Sequence, residues 1–131
     1  MDILITVLLI ISIFIGLRYL TQKRAAKARG KEIDPSLFED KIQDLLNSSK
    51  SILYFYTPTC SACKAQGPII EKIDSETNAV GKIDLSINPG AAREFGIMGV
   101  PTTALMIGNK VTDIFIGVKH EKFLRERFDR L

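Results

Sequence analysis

Fifteen consecutive residues without a charge, Ile3 to Leu17, constrain this chain more than any other feature of its sequence. With Tyr19 and Leu20 added around Arg18 the run reaches about 18 residues, roughly 27 Å of helix against a hydrocarbon core of about 30 Å. In hydrocarbon no water satisfies the backbone N–H and C=O groups, so such a segment has to be helical. The long stem of Arg18 and the amphipathic ring of Tyr19 suit the headgroup boundary. A cleaved signal peptide would carry basic residues before the apolar run and a small-residue cleavage site soon after it. No Lys or Arg precedes this run, and the triplet Ala26-Lys27-Ala28 lies well downstream among basic residues. A segment apolar on nearly every side and followed by basic residues is also poor material for the core of a small domain. The sequence predicts a retained transmembrane anchor over residues 1–20, in contact with the membrane through residues 3–20.

Charge divides the chain at the same place. The net charge is +3, but residues 1–31 hold six basic residues against Asp2 alone, which leaves +5 there and −2 on the remaining hundred. Residues 21–31 read as a basic juxtamembrane linker, or a helical extension, that rests on anionic headgroups. Because the basic residues all flank the carboxyl end of the span, the positive-inside rule predicts a single-pass cell-membrane protein with its domain on the cytoplasmic face. The periplasmic or extracellular face is the alternative. No Lys/Arg cluster follows Lys31, so nucleic acid is not expected as a partner. Two cysteines and one histidine are too few soft ligands for an ordinary zinc site, and no metal is expected.

Residues 32–131 alternate helical and strand patterns, as an α/β sheet does. Asp34-Pro35 opens a helix with Phe38, Ile42, Leu45 and Leu46 on one stripe. Ile52 to Tyr56 is a buried strand stopped by Thr57-Pro58-Thr59. A helix follows through Ile73, and Pro68 should kink it. A short strand is expected around Lys82 to Leu85, a turn at Asn88-Pro89-Gly90, and a brief helix through Ala91 to Phe95. Gly108-Asn109 joins two antiparallel strands, the first ending at Ile107 and the second running from Lys110 to Ile116. Residues 119–131 close the chain with an amphipathic helix. His120, at its start, reads as solvated.

Chemistry concentrates at Cys60-Ser61-Ala62-Cys63. A cysteine on the first turn of a helix has its thiolate stabilised by unpaired backbone N–H groups and the helix dipole. A second cysteine three positions later lies within reach to attack a mixed disulfide formed at the first. The spacing therefore fits dithiol exchange, with Cys60 as the reactive thiol, and a single pair cannot form a zinc knuckle.

Phe55 to Cys63, Pro68, the run Lys82 to Pro89, Val100-Pro101-Thr102 and Gly117, in unbroken order over about residues 32–131, together resemble the thioredoxin family. The resemblance implies a thioredoxin-like fold, a central mixed sheet flanked by helices, with Cys60 as exposed nucleophile and Cys63 as buried resolving thiol. It implies a cis Pro101 that exposes the Val100 backbone to an extended substrate segment, with Gly117 in the same groove. Protein disulfides are the implied substrates. No cofactor is implied, and the electrons would come from an upstream donor, thioredoxin-reductase-like or a membrane thiol carrier. Reduction of substrates is the expected direction. A non-catalytic adaptor and an outward-facing reductant for exported proteins or cofactor attachment are the alternatives. The sequence departs from the family at Tyr54, where a buried acid is usual, leaving Lys82 to hydrogen-bond Tyr54 or lie on the surface. It departs again at Thr59, where tryptophan is usual, and at Ser61-Ala62, which replaces Gly-Pro.

Overall fold

The computed structural model describes residues 1–131, the side chains of residues 21–28 excepted. Helix α1 spans Asp2–Ala28, so most of the stretch after the apolar run is helical. Asp2–Leu20 is long and apolar enough to cross a membrane, and none of it is buried in the protein. The expectation that Lys23, Arg24 and Lys27 rest on headgroups concerns side chains outside the described residues.

After a 3-10 turn at Pro35–Leu37 come α2 (Asp40–Leu46), β1 (Ser51–Tyr56), α3 (Ser61–Thr77), β2 (Val80–Asp84), α4 (Pro89–Phe95), β3 (Thr102–Ile107), β4 (Lys110–Ile116) and α5 (Glu121–Asp129). The sheet order is β2-β1-β3-β4. β1 and β2 are parallel, joined by the α3 crossover, and the other pairings are antiparallel. Strand β1 sits inside this sheet and reads as a continuous apolar run because both its faces are covered. Leu53 and Phe55 point to one face, with Phe38, Ile42 and Leu46 of the α2 side and Phe95 of α4. Ile52 and Tyr54 point to the other, with Ile70 and Ile73 of α3 and Leu124 and Phe128 of α5.

Three details differ from the sequence reading, and the β3–β4 pairing carries an irregularity besides. The helix expected to start at Asp34 is broken in two: Asp34 Oδ1 accepts from the Ser36 N–H and hydroxyl at 2.9 and 2.7 Å, closing a 3-10 turn. Phe38 then adopts extended backbone before Glu39 restarts the helix. The break sends the Phe38 ring into the core, edge-on to Phe95 at 5.9 Å, and that packing overrides local helix propensity. Asn88-Pro89-Gly90 is the start of α4 rather than a free turn, since Asn88 Oδ1 caps the Ala91 N–H at 3.2 Å and Pro89 occupies the first helical turn. β2 starts at Val80, two residues earlier than its apolar pattern suggests. Gly81 masked it: a Cβ there would meet Ile42 Cδ1 at 2.5 Å and side chains of Leu45 and Leu53 at 2.9 Å, so any larger residue would push those core side chains aside where α2 lies on β2. The β3–β4 register shifts between Leu105 and Met106, and Thr112 Oγ1 donates to the Leu105 carbonyl at 2.8 Å beside that irregularity.

The segment that joins α1 to the sheet is itself paired. The Gly30 N–H donates to Val111 O at 2.7 Å, the Val111 N–H to Lys31 O at 3.0 Å, and the Ile33 N–H to Asn109 O at 2.8 Å. Arg29 and Asp113 form an ion pair at 3.3 Å. Ile33, only 1% exposed, is part of the core. The start of β4 therefore has its outer edge covered.

Candidate active site

β1 delivers the chain, buried as far as Phe55, to the loop 57–59, where the Cys60 N–H closes a turn on Thr57 O at 3.3 Å. Cys60 is the N-cap of α3, and its Sγ accepts from the Cys63 N–H at 3.2 Å. The two cysteines are joined as a disulfide, with Cα atoms 5.3 Å apart. Their accessibilities differ: Cys60 is half-buried, while Cys63, one turn into the helix, is 7% exposed. Ser61 and Ala62 between them are exposed. α3 continues through Pro68 to Thr77.

Tyr54 lies beneath the pair. Its hydroxyl donates to the backbone carbonyl of Cys63 at 3.1 Å, and its ring stacks on Tyr56 with centroids 5.4 Å apart. Burial pushes the Tyr54 phenol up from its ordinary value, and Tyr56 adds to the shift. Lys82 is opposite Tyr54 in the β1–β2 register, yet its ammonium forms an ion pair with the carboxylate of Glu71 on α3. Of the two positions open to Lys82 on sequence grounds, the exposed one is observed, with Glu71 as the partner that sequence reasoning did not single out. A cleft of about 280 Å³ opens between Tyr56, Cys60, Cys63, Gly67, Glu71 and Lys82.

The Tyr54 hydrogen bond carries a testable consequence. Tyr54→Phe is expected to destabilise the fold by about 1 kcal/mol, because the buried Cys63 carbonyl loses its side-chain donor. It is also expected to blunt the alkaline loss of stability. Below the ordinary tyrosine value of 10.0 the phenol is protonated in both states, and its contribution is fully present. Above it the unfolded chain ionises first, so stability falls as pH rises towards the folded value. Urea midpoints at pH 8 and pH 11 measure this; equal losses in both proteins would refute it.

Pro101 and Gly117 reach the same end of the sheet by another route. Thr102 pairs with Phe55 on β1 and with Ile116 on β4, which places Pro101 and Gly117 where β1 runs towards Cys60. The Val100–Pro101 peptide is cis. Pro101 is buried, and its carbonyl accepts from the Gly117 N–H at 2.8 Å. Gly117 has φ of +90°, a left-handed conformation that side chains rarely adopt.

Gln66 supports this arrangement and was missed. Fully buried on α3, it donates from Nε2 to Lys119 O at 3.2 Å and accepts the Lys119 N–H on Oε1 at 2.7 Å. It thereby fixes the chain just after Gly117, and α5 starts beyond it, at Glu121. Nothing in the local pattern separates Gln66 from a solvated helix residue. His120 is exposed and makes no side-chain cap bond to α5. Among the described residues no group of three or more His, Cys, Asp or Glu side chains could hold a metal ion.

A mixed four-stranded sheet that feeds a buried strand into a loop, with a cysteine pair across the first turn of the next helix, defines a thiol–disulfide oxidoreductase. The Thioredoxin family model matches residues 30–130, and the chain belongs to the thioredoxin family. It is 31% identical over 90 residues to a thioredoxin of Chlorobaculum thiosulfatiphilum, covering 66% of this chain and 83% of that one. It is 36% identical over 80 residues to the bifunctional thioredoxin reductase/thioredoxin of Mycobacterium leprae, covering 58% of this chain and spanning 18% of that protein. A solved structure of a mutant thioredoxin from Halobacterium salinarum superposes with a TM-score of 0.63 at 27% identity, over 66% of this chain and 79% of that one.

Proposed function

We propose that this protein is a membrane-anchored reductase of protein disulfides in which Cys60 attacks and Cys63 resolves. The observation that carries the reading is the asymmetry of the pair: Cys60 is accessible and caps α3, where N–H groups and the helix dipole favour its thiolate, whereas Cys63 is 7% exposed. In the reduced protein the Cys60 thiolate attacks a substrate disulfide and expels one substrate thiolate. Cys63 then attacks Cys60 Sγ, releasing the second substrate sulfur and leaving the Cys60–Cys63 disulfide. Val100, Pro101 and Gly117 form the substrate groove, where an extended segment pairs with the Val100 backbone as an added strand. Tyr54 and Lys82 are supporting residues. An upstream dithiol donor, thioredoxin-reductase-like or a membrane thiol carrier, returns the pair to its reduced form.

Anchoring through residues 3–20 and a domain on the cytoplasmic side complete the reading, supported by the length of Asp2–Leu20 and the basic flank after it. Limited alkylation of the reduced protein, mapped by mass spectrometry, should label Cys60 first, with an apparent pKa below the free-thiol value of about 8.5. Labelling of Cys63 first would reverse the roles. In intact cells a membrane-impermeant maleimide should leave Cys60 unmodified until the membrane is permeabilised. Labelling without permeabilisation would place the domain outside.

A further inference from the structure

Cys63 has to lose a proton before it attacks Cys60, and burial disfavours the thiolate. Tyr54 does not take that proton. It is a neutral phenol, and its hydroxyl is already donated to the Cys63 carbonyl. Among the residues lining the cleft, which include both cysteines, there is one carboxylate, Glu71. Glu71 lies eight residues beyond Cys63 on α3, so Cys63, Gly67 and Glu71 follow one another along a single helix face. Gly67 has open space where a Cβ would stand, which leaves the path between the other two unobstructed. The cleft volume of about 280 Å³ accommodates several waters at about 30 Å³ each. Lys82 reaches Glu71 from β2 and pairs with its exposed carboxylate at the cleft wall. The other titratable groups facing this space are Tyr54 and Tyr56 from β1 and Lys64 from α3, while Glu39 and Asp84 border a neighbouring cleft that also touches Lys82.

We infer that Glu71, positioned by Lys82, accepts the Cys63 proton through water in the cleft during the resolving step. The inference rests on the reading of Cys63 as the resolving thiol. In the step the Cys63 S–H bond breaks and its proton passes through water to the Glu71 carboxylate. The Cys63 sulfur bonds to Cys60 Sγ, and the bond from Cys60 to the substrate sulfur breaks. The electron pair leaves on the substrate thiolate, which takes a proton back from the cleft. The substrate disulfide is reduced and the dithiol oxidised, with no other reactant.

The reduced full-length protein in detergent, mixed with 5,5′-dithiobis(2-nitrobenzoate), separates the two steps. The first release of thionitrobenzoate reports attack by Cys60, and the second reports attack by Cys63 on the mixed disulfide. Glu71→Gln should leave the first release unchanged and slow the second by about 100-fold at pH 7, the lower range for a lost proton-transfer group. The deficit should shrink as pH rises through the thiol range, and Glu71→Asp should recover most of the rate. A second release equal to wild type from pH 6 to 9, or slower by one constant factor at every pH, would overturn the inference. Should Glu71→Gln fail to fold, Lys82→Met retains the carboxylate but frees it; its second release should slow most at low pH, and an unchanged profile there overturns the inference equally. If wild-type protein gave only the first release, the dithiol reading itself would fail, a result distinct from failure of the role of Glu71.

Discussion

The Cys63→Ser protein is expected to halt after a single attack, holding its substrate as a stable mixed disulfide on Cys60. Cys60 keeps its place at the N-cap of α3, and a serine at 63 still supplies the backbone N–H that reaches Cys60 Sγ. The first step therefore survives. The second does not, because a serine hydroxyl is neither ionised near neutral pH nor able to restore a disulfide. Multiple-turnover reduction of a protein disulfide should fall to the uncatalysed rate, with stoichiometric covalent adduct visible on a non-reducing gel and dissolved by dithiothreitol. The Cys60→Ser protein should be equally inactive and form no adduct, since the remaining thiol is the inaccessible one, 7% exposed. Adduct formation by Cys60→Ser and none by Cys63→Ser would invert the assignment.

Phe55→Ala should be the most damaging of the core substitutions in β1. Phe55 is fully buried, its ring 4.8 Å from that of Phe95, which in turn meets Phe38 at 5.9 Å. This aromatic chain joins the sheet to α4 and to the segment before α2. Removing the Phe55 ring, the sheet's end of that chain, loses the transfer free energy of the side chain and leaves a cavity that close-packed neighbours fill only in part, a cost of about 3–5 kcal/mol. That is a large share of the roughly 5–15 kcal/mol by which domains of this kind are stable. A urea midpoint lower by about 2 M, with the slope unchanged, is the expected result. A loss under about 1 kcal/mol would mean that the ring is not the keystone of this face. The cysteines lie at the far end of the loop that β1 feeds, so the folded fraction of the variant should keep its reactivity at Cys60.

The reactive pair was legible because each of its requirements is local. Ile52 to Tyr56 is apolar on both faces, Thr57-Pro58-Thr59 stops it, and the cysteines fall on the first turn of the helix that follows. The Gly108-Asn109 hairpin and α5 were legible for the same reason, since turn chemistry and helical period are written in adjacent residues. The boundaries that failed involve competition with distant partners. Asp34 carries a sound cap signal, but the buried Phe38 ring and its contact with Phe95 decided how far the helix could run. Gly81 lowers the strand signal of β2, and its purpose appears only when α2 lies against it. At the site, Gln66 looks like a solvated helix residue until α3 is set against the Lys119 backbone, and Glu71, exposed in the fold, meets Lys82 only because β2 lies beside α3.

The sequence by itself determined the apolar helix, the order of strands and helices, and the cysteine pair at a helix start, all consequences of short-range periodicity, capping and spacing. Only the tertiary structure decided that residues 30–33 pair with the start of β4, that Tyr54 donates to the Cys63 carbonyl while Lys82 turns to Glu71, and that Gln66 ties α3 to the chain beyond Gly117. These contacts join residues up to about eighty positions apart, and each was chosen because a buried polar group or open strand edge has to find a partner wherever the packed chain brings one.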